Sequence, residues 1–563
     1  MVRSGRGSRV LIGRLIAALL LSVAVQGFGV RGARAASDPF EGIKWYADPD
    51  SPVQQQANAW RTSRPGDAAL LDIVAQQQSA DWVVGAQTSF LRQYIDQRID
   101  LFTNAGGIPI LAIYNVPKLN CGDGNGAANG DAYRAWINQI ASIIGQRKVI
   151  LLVEPDGLTV TDCLSGAALT ERYALISYAV GVFKRNANAA VYVDGGEDDR
   201  FAVNEVVSIL QQGNIAQADG FFLNATVYRY TSTMVVYGLK VSQELGGKHF
   251  VVDTSRNGLG PGTDGYCNSR GRALGVSPTT QTDEAVVDAF VWIKRVWESD
   301  DSCHQGEPGG GQFYFDYTLG LVQRSLQPFS DLPADSAQAQ HPSQPLPGIV
   351  EQIRQLALRG YIRGNGDGTF GPDSTTLRAQ MAALITRPVG WELDRFDTSF
   401  TDRGAVDAAL WRNVSALVQR GVDSPVVSWW KKRATAPRKP VGYFDRAVLA
   451  AYKVAKGFGD GTFNSMGPVL YEQVLLFISR AMQQKGYWVQ QADNATYFPN
   501  LPGSSAAEQA DRRDIVTYVY YTQKLGGVPD FPATGNFTKW DQPAPRVWFA
   551  QALYRALRSQ GLI

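Results

Sequence analysis

Residues 149–156 have the sequence Val-Ile-Leu-Leu-Val-Glu-Pro-Asp, in which five apolar residues lead directly into an acidic motif. An apolar run of this length predicts a buried strand. Longer amphipathic segments, such as 131–144 and 170–184, separate it from four similar runs. These runs are Ile108–Tyr114, Ala190–Val193, Gly220–Leu223 and His249–Val252. The alternation predicts repeated βαβ units and a parallel sheet, either open or closed into a barrel.

Polar residues directly follow each of these predicted strands. In α/β barrels the carboxyl ends of the strands carry the chemistry, so such residues predict a shared cleft. The alternative is that they cap the following helices, which strand-to-helix loops also need. Five consecutive occurrences favour the cleft. The residues concerned are Asn115, Glu154 with Asp156, Asp194, Asn224 and Asp253.

The first 35 residues are typical of an export signal. Arginines precede an apolar run from Leu15 to Val25, and Ala33-Arg34-Ala35 has the small-x-small spacing of a cleavage site. The run is too short to cross a bilayer of about 30 Å, although a retained membrane anchor is the alternative. This segment holds six arginines and no acid, so cleavage after Ala35 leaves 48 of the 54 basic residues against 52 acidic ones. We therefore expect a secreted mature chain without a transmembrane segment, and no nucleic-acid partner.

Four cysteines occur in the chain, all before residue 304. In an exported protein an even number indicates disulfides, and four cysteines allow three pairings. A zinc site is the alternative, but close Cys-x-x-Cys pairs are absent, and no two of the three histidines have metal-ligand spacing. We expect no metal and no cofactor. The cysteines are Cys121, Cys163, Cys267 and Cys303.

Residue 329 begins a segment of different composition. Residues 329–346 are rich in Pro, Ser, Gln and Ala, which predicts an exposed linker after a domain at 36–328. Beyond it a helix–turn–helix unit recurs, marked by Gly-Asp-Gly-Thr-Phe at 366–370 and again at 459–463, with a degenerate third copy around 535–537. Such a repeat predicts a helical domain of three packed units. The predicted units are about 347–396, 397–484 and 497–561.

The first domain resembles glycoside hydrolase family 6, over roughly residues 43–327. The family contains inverting cellulases on a distorted parallel β/α barrel, so the resemblance implies that fold, two sequential disulfides and a secreted β-1,4-glucanase. The motifs that carry the resemblance occur in the family's order. They are Leu111–Pro117 followed by Cys121, Leu152–Asp156, Tyr192–Asp194, Val252–Gly258, Cys267-Asn268, Gly271–Gly275, and Lys294, Glu298 and Asp300 at the family's Lys-x-x-x-Glu-x-Asp spacing.

The resemblance also implies roles for individual residues. Asp156 would be the general acid that protonates the leaving oxygen, and Asp300 would lie across the cleft, near the family's base function. Asp194 would support the proton relay together with the residue at position 120. The sugar beside the cleavage point would be held by Trp82, Tyr114, Lys294 and Glu298. A catalytic region of this length favours an endoglucanase over a tunnel-forming cellobiohydrolase.

The chain departs from the family at several of these positions. Asn120 replaces an aspartate that keeps the acid protonated, and an uncharged amide cannot raise a neighbouring pKa by repulsion. The segment 122–129 lacks the usual serine, and Gly195–Phe201 replaces the usual Ala-Gly-His and tryptophan. Tyr266 stands where a tryptophan usually precedes the cysteine. A surface protein that binds glucan without cutting it, or cuts it only weakly, is therefore the alternative function.

The helical repeats resemble S-layer homology repeats, which attach exported proteins to cell-wall polymers. Thr376–Gln380 is similar to the family's Thr-Arg-Ala-Glu motif, and Arg546 is the counterpart of Arg378 in the third copy. The second copy has Tyr471-Glu472 at this place. The resemblance implies a chain anchored at the cell wall, with Arg378 and Arg546 as candidates for binding the wall polymer.

Overall fold

The computed structural model divides the chain into two compact units, Met1–Glu41 and Gly42–Ile563, and every described helix and strand belongs to the second. The structure describes residues 39–85, 90–122, 126–282, 284–332, 349–365, 368–388, 412–414, 468–491, 506–522, 542–560 and 562–563. The predicted export signal, the linker from 333 onward and the repeat turns at 459–463 and 535–537 lie outside these residues.

Seven parallel strands form one sheet, in which each strand pairs with the next along the chain. The strands are β1 (Asp81–Val84), β2 (Ile110–Tyr114), β3 (Val149–Val153), β4 (Ala189–Asp194), β5 (Gly220–Leu223), β6 (His249–Asp253) and β7 (Val287–Val291). Eight helices flank them: α1 (Pro52–Trp60), α2 (Pro65–Ala75), α3 (Leu91–Asn104), α4 (Gly130–Ile144), α5 (Gly166–Phe183), α6 (Val203–Gln212), α7 (Thr231–Glu244) and α8 (Phe315–Leu326).

The sheet curls until its two edges meet at one point. Ser79 and Trp292 form an isolated parallel bridge, and the Ala80 N–H donates to the Trp292 carbonyl at 2.8 Å. The predicted distorted β/α barrel is thereby confirmed. The sequence predicted five of the strands but missed β1, which has four residues, and β7, which carries the buried Asp288 within its apolar run.

Alternation along each strand separates the apolar core from the site. Leu151, Val191 and Phe221 belong to one buried cluster that packs the sheet against its helices. Residues of the opposite parity point into the barrel, so Asp194, the last residue of β4, reaches the carboxyl end of the sheet on the inner side. The carboxyl ends of the strands therefore deliver polar side chains into one cleft.

The C-terminal helices have a core of their own. They are α9 (Ile349–Leu358), α10 (Arg378–Thr386), α11 (Tyr471–Gln484), α12 (Ala506–Thr522) and α13 (Arg546–Arg558). Three short extended segments enter α10, α11 and α13 and bond to one another in a ring. The Thr376 N–H donates to the Ala544 carbonyl, that of Val469 to Thr376, and that of Ala544 to Val469, at 3.1, 2.9 and 2.8 Å.

In this ring the three segments occupy equivalent positions, each directly before a helix. Arg378, Tyr471 and Arg546 are each the first residue of the following helix, which is the correspondence that the sequence comparison of the repeats predicts. The arrangement fits three packed units, and their boundaries stay a prediction.

The start of the predicted linker is exposed only in part. Phe329 and Leu332 are buried in the C-terminal core, and the Asp331 carboxylate accepts from the N–H groups of Phe370 and Gly371 at 2.7 and 2.6 Å. The C-terminal helices also contact the barrel directly: the Ser232 N–H donates to the Arg359 carbonyl at 3.1 Å, and Lys485 pairs with Glu284 at 2.9 Å. These contacts hold the C-terminal helices against the barrel, and the bounds of the linker stay a prediction.

Candidate active site

Asp156 follows β3 in a left-handed backbone conformation, with φ of 67°, and Glu154 has φ of 54°. Such conformations are unfavourable for residues other than glycine and concentrate at functional sites. Burial raises the pKa of Asp156 to about 7, and the charges of Asp194 and Asp300 contribute in the same direction. Asp156 is therefore a carboxyl group that holds its proton near neutral pH.

Asp194 is buried beside it at the end of β4. Its carboxylate accepts from the Thr159 hydroxyl and, at 3.0 Å, from the Gly196 N–H. Burial raises its pKa to about 6, although these hydrogen bonds oppose the shift. Asp194, which the family resemblance assigns to the proton relay, thus lies close enough to Asp156 for its charge to raise the pKa of Asp156.

Asp300 lies in the opposite electrostatic environment. Arg256 Nη1 and Lys294 Nζ approach its two oxygens at 2.7 and 3.1 Å, and the Asn268 N–H donates to it at 2.9 Å. Burial alone would raise the pKa of Asp300, but the charges of Arg256 and Lys294 lower it to about 2. Asp300 is consequently ionised, and Asp156 protonated, between about pH 2 and pH 7.

The aromatic residues expected in the substrate site form one wall. The rings of Trp82 and Tyr114 pack edge to face with centroids 4.9 Å apart, and Trp82 Nε1 donates to the Ile293 carbonyl. Asn120 Nδ2 donates to the Tyr114 hydroxyl at 2.6 Å. Burial raises the pKa of Tyr114, and the charge of Asp156 adds to this shift. The wall and its Asn120 contact therefore lie within electrostatic reach of the acid.

Glu298, the remaining predicted sugar ligand, is held by a partly buried arginine. Arg295 Nη1 lies 3.1 Å from Glu298 Oε1, while Arg295 Nη2 contacts Asp81 and Tyr94 at 2.8 and 3.0 Å. The orientation of the Glu298 carboxylate is thus determined by a network that includes the first residue of β1.

Both disulfides follow the sequential pairing that the family resemblance implies. Cys121 bonds to Cys163 and Cys267 bonds to Cys303, with Cα atoms 5.5 and 6.0 Å apart. They are adjacent in sequence to Asn120 and Asn268, respectively, so each stabilises a loop that reaches the site.

Two residues important to the site were given no role of their own by sequence reasoning. Glu154 accepts from the N–H groups of Asn115 and Val116 at 2.9–3.0 Å and is fully buried, which ties the loop after β2 to the loop after β3. Arg256 was noticed only as part of a motif. The signal available for Glu154 was its place two residues before Asp156.

Two of the polar residues predicted to share the cleft are structural. Asp253 accepts from the N–H groups of Thr226, Ser255, Ile293 and Lys294 at 2.9–3.3 Å, and so joins the loops after β5, β6 and β7. The amide of Asn224 donates to the Asp253 carbonyl at 2.8 Å. These residues brace the cleft rather than line it.

The arginines predicted to bind the wall polymer are largely buried. Arg378 lies over the Phe477 ring, with 5.8 Å between its guanidinium carbon and the ring centroid. Arg546 donates to Asn365 Oδ1 and to the Arg363 carbonyl at 2.5 and 3.1 Å, and it lies over Phe370. Both have internal partners, and their contact with a wall polymer stays a prediction.

Within the part of the chain that the structure describes, no three His, Cys, Asp or Glu side chains are grouped as metal ligands would be. The same residues contain no helix with the length and apolarity needed to span a bilayer.

Comparison with known proteins finds two family matches. The family model for glycosyl hydrolases family 6 matches residues 40–325, and that for the S-layer homology domain matches residues 351–382. Endoglucanase A of Thermobispora bispora is 36% identical over 278 residues, which are 48% of this chain and 59% of that protein. Endoglucanase 1 of Streptomyces halstedii is 34% identical over 282 residues, covering 48% of this chain and 85% of that protein.

Among solved structures, the endoglucanase Cel6 from Mycobacterium tuberculosis, in complex with methyl-cellobiosyl-4-deoxy-4-thio-β-D-cellobioside, is 36% identical. The match covers 52% of this chain and 100% of that one, with a TM-score of 0.49. The chain spans about three fifths of the length of Endoglucanase A from T. bispora and of its namesake from Cellulomonas fimi. On the family match and the shared residues, the chain belongs to glycosyl hydrolases family 6 and carries an S-layer homology domain.

Proposed function

We propose that this protein is an inverting β-1,4-glucanase in which Asp156 is the general acid. The observation that carries the proposal is the opposed protonation of two cleft carboxyls: the pKa of Asp156 is raised to about 7 and that of Asp300 is lowered to about 2. Titratable pairs whose environments separate their pKa values identify the acid and the ionised partner in glycosidases.

In this mechanism the protonated Asp156 gives its proton to the glycosidic oxygen as the bond from that oxygen to the anomeric carbon breaks. Water attacks the same carbon from the opposite face, and its proton leaves along water toward the ionised carboxylates. With its low pKa, Asp300 is a weak base for that proton, but its negative charge stabilises the positive charge that develops on the sugar in the transition state. We expect its carboxyl to lie about 6.5–9.5 Å from that of Asp156, which leaves room for the water.

The test compares Asp156→Asn with wild type on carboxymethylcellulose and mixed-linkage β-glucan, measuring reducing sugar. Asp162→Asn is the matched control, because it makes the same substitution at an exposed aspartate that pairs with Arg200. We expect Asp156→Asn to lose at least about a hundredfold in kcat and Asp162→Asn to stay near wild type. Equal activity of the wild type and Asp156→Asn would remove Asp156 from the mechanism.

Endo action is the finer part of the proposal, supported by the names of the bacterial relatives and by the length of the catalytic region. Internal cleavage shortens chains quickly, so the viscosity of soluble cellulose should fall early relative to the release of reducing ends. A slow fall in viscosity accompanied by cellobiose release would favour exo action.

A second candidate function is binding of glucan without cleavage, and Asn120 is the observation that favours it. Its neutral amide bonds to Tyr114, so no charge at position 120 contributes to the raised pKa of Asp156. Asn120→Asp distinguishes the two functions. A gain of about tenfold or more in kcat would indicate an impaired enzyme, because a nearby charge keeps the acid protonated. Oligosaccharide binding by both forms without hydrolysis by either would establish the binding function.

The proposed location is the outer cell surface, where the S-layer homology domain attaches the secreted chain to a cell-wall polymer through Arg378 and Arg546. The full-length protein should sediment with purified walls, and Arg378→Gln with Arg546→Gln should release it without changing the far-ultraviolet circular dichroism. A wild-type protein that stays in the supernatant would contradict anchoring. A variant that loses its helical signal would show that the two arginines serve the fold.

A further inference from the structure

One contact between the C-terminal domain and the barrel lies at the entry to helix α7. The Ser232 N–H, in the first turn of that helix, donates to the Arg359 carbonyl at 3.1 Å, and the Ser232 hydroxyl donates to the Gly360 carbonyl at 3.2 Å. The first N–H groups of a helix have no partner within the helix. The turn that ends α9 therefore supplies the cap that α7 lacks from its own side chains.

Tyr230, the residue before α7, is enclosed from both domains. A Cβ atom on Gly260 would lie 2.3 Å from its ring, and a Cβ atom on Gly360 would lie 3.0 Å from ring atom Cδ1. Both glycines have positive φ, near 70°, so each position is restricted in conformation as well as in space. The Arg363 guanidinium lies over the same ring at 4.0 Å. Tyr230 thus joins the 256–260 loop of the barrel to the turn after α9.

Leu358 makes a second connection to that loop. It is buried, at 7% exposure, yet the apolar cluster of the C-terminal domain includes its neighbours Leu356 and Ala357 and not Leu358. If Gly258 carried a Cβ atom, that atom would lie 2.9 Å from Leu358 Cδ2, so the leucine side chain is in close contact with the Gly258 backbone. Leu358 therefore packs on the backbone of the loop.

The same loop carries Arg256, whose guanidinium holds Asp300. The side chain of Asn257 donates to the Arg229 carbonyl and to the Thr231 hydroxyl at 2.9 and 3.0 Å, which fixes the loop to the entry of α7. Arg229 in turn pairs with Asp198 and Asp199, the residues that follow β4. Contacts from the C-terminal domain thus come within two residues of Arg256 and, through Arg229, reach the segment that follows β4.

We propose that the C-terminal domain, besides any role in anchoring, positions the active site, with Leu358 as the positioning residue that holds the Arg256 loop against Asp300. The effect on catalysis rests on the proposed glucanase function, whereas the effect on the loop does not. Leu358 touches neither substrate nor reacting atoms. It acts through the packing of Gly258, because a buried leucine removed from a close contact leaves a cavity into which the loop can relax.

The experiment uses the full-length chain with Leu358→Ala and the rescue variant Leu358→Met. Leu476→Ala is the matched control, because Leu476 is equally buried, at 8% exposure, but packs within the C-terminal core. Hydrogen exchange of the 254–260 backbone is measured together with kcat and KM on soluble β-glucan. We expect Leu358→Ala to speed exchange at 254–260 by about tenfold or more and to lower kcat by about tenfold with KM nearly unchanged. Leu358→Met should restore both.

The proposal is overturned if Leu358→Ala speeds exchange at 254–260 no more than Leu476→Ala does. A wild-type protein without hydrolytic activity would count against the proposed function alone, because the exchange comparison still decides whether the loop is held. If Leu358→Ala does not fold, Arg363→Gln takes its place, since it removes the cation over Tyr230 without opening the apolar contact. Unchanged exchange in Arg363→Gln would then reject the proposal.

Discussion

Arg256 and Asp300 form an ion pair in which the arginine side chain has no solvent exposure, with 2.7 Å between Nη1 and Oδ2. Arg256 Nη2 also donates to the Thr226 carbonyl at 2.5 Å, and its guanidinium lies over the Tyr228 ring. A buried charge of this kind is stable only while its partner is ionised. The pair therefore keeps Asp300 in its charged state and connects the loop after β6 to the segment after β7.

Replacing Arg256 by Gln should shift the acid side of the pH–rate profile. Without the guanidinium, the pKa of Asp300 rises from about 2 toward its ordinary range, so Asp300 protonates at higher pH. We expect activity at pH 4 to fall several-fold more than activity at pH 7, measured as kcat/KM across the range. Arg270→Gln, at an exposed position, is the control. An unchanged acid limb would show that ionised Asp300 is not required.

Removing the charge of Asp194 should shift the alkaline side in the opposite direction. That charge helps to keep Asp156 protonated, so Asp194→Asn lowers the pKa of Asp156 and moves the alkaline limb of kcat/KM to lower pH by up to about one unit. The asparagine oxygen can still accept from the Gly196 N–H, and its Nδ2 can donate to the Thr159 hydroxyl, which preserves the local structure. A limb that stays in place or moves upward would mean that another group sets the protonation of Asp156.

The sequence predicted those parts of the molecule that local pattern determines. The apolar run at 149–153 became β3 with the same bounds, and Asp156 follows it as expected. Arg256 could not be assigned to Asp300 from pattern, because 44 residues, including strand β7, separate them and they meet only because β6 and β7 pair side by side. Nor could composition reveal that the chain around Leu358 packs on the barrel, since that contact depends on the shape of both surfaces.

The buried carboxyls of the cleft should make stability depend on pH. Folding raises the pKa of Glu154 to about 7 and that of Glu197 to about 8, in both cases mainly through burial. A carboxyl of this kind binds its proton more tightly in the folded chain, so the free energy of unfolding falls as the pH rises from about 4.5 to the raised pKa. We expect Tm to decrease from pH 5 to pH 8 at constant ionic strength.

Glu154→Gln tests one contribution to that slope. Its amide oxygen can still accept a backbone N–H from Asn115 or Val116, but it no longer ionises between pH 4.5 and 7. The decrease in Tm over this interval should therefore be shallower than in wild type, whereas Glu244→Gln, at an exposed position, should leave the slope unchanged. Parallel curves for Glu154→Gln and wild type would exclude Glu154 as a source of the dependence.

The Cys267–Cys303 disulfide should support catalysis as well as stability. Asn268, which follows Cys267 directly, is fully buried and connects the disulfide to the site. Its N–H donates to Asp300 Oδ2 at 2.9 Å, and its side-chain oxygen accepts from the Asp300 N–H at 2.8 Å. The disulfide closes a loop of 36 residues, worth about 3–4 kcal/mol in the loop-entropy model. Cys267→Ser with Cys303→Ser should lower the free energy of unfolding by about this amount.

A second effect separates this disulfide from a purely structural one. If the loop no longer holds Asn268, Asp300 loses one hydrogen bond that favours its ionised carboxylate and one that fixes its backbone, so kcat should fall and the acid limb should move upward. Cys121→Ser with Cys163→Ser is the control, because it opens a loop of similar length, with a separation of 42 residues, on the Asp156 side of the cleft. That variant should lose comparable stability while its acid limb stays where it is in wild type. The measurement is kcat/KM against pH, at a temperature where circular dichroism shows both variants folded. Identical acid limbs in the two variants would mean that Asn268 keeps its place without the disulfide.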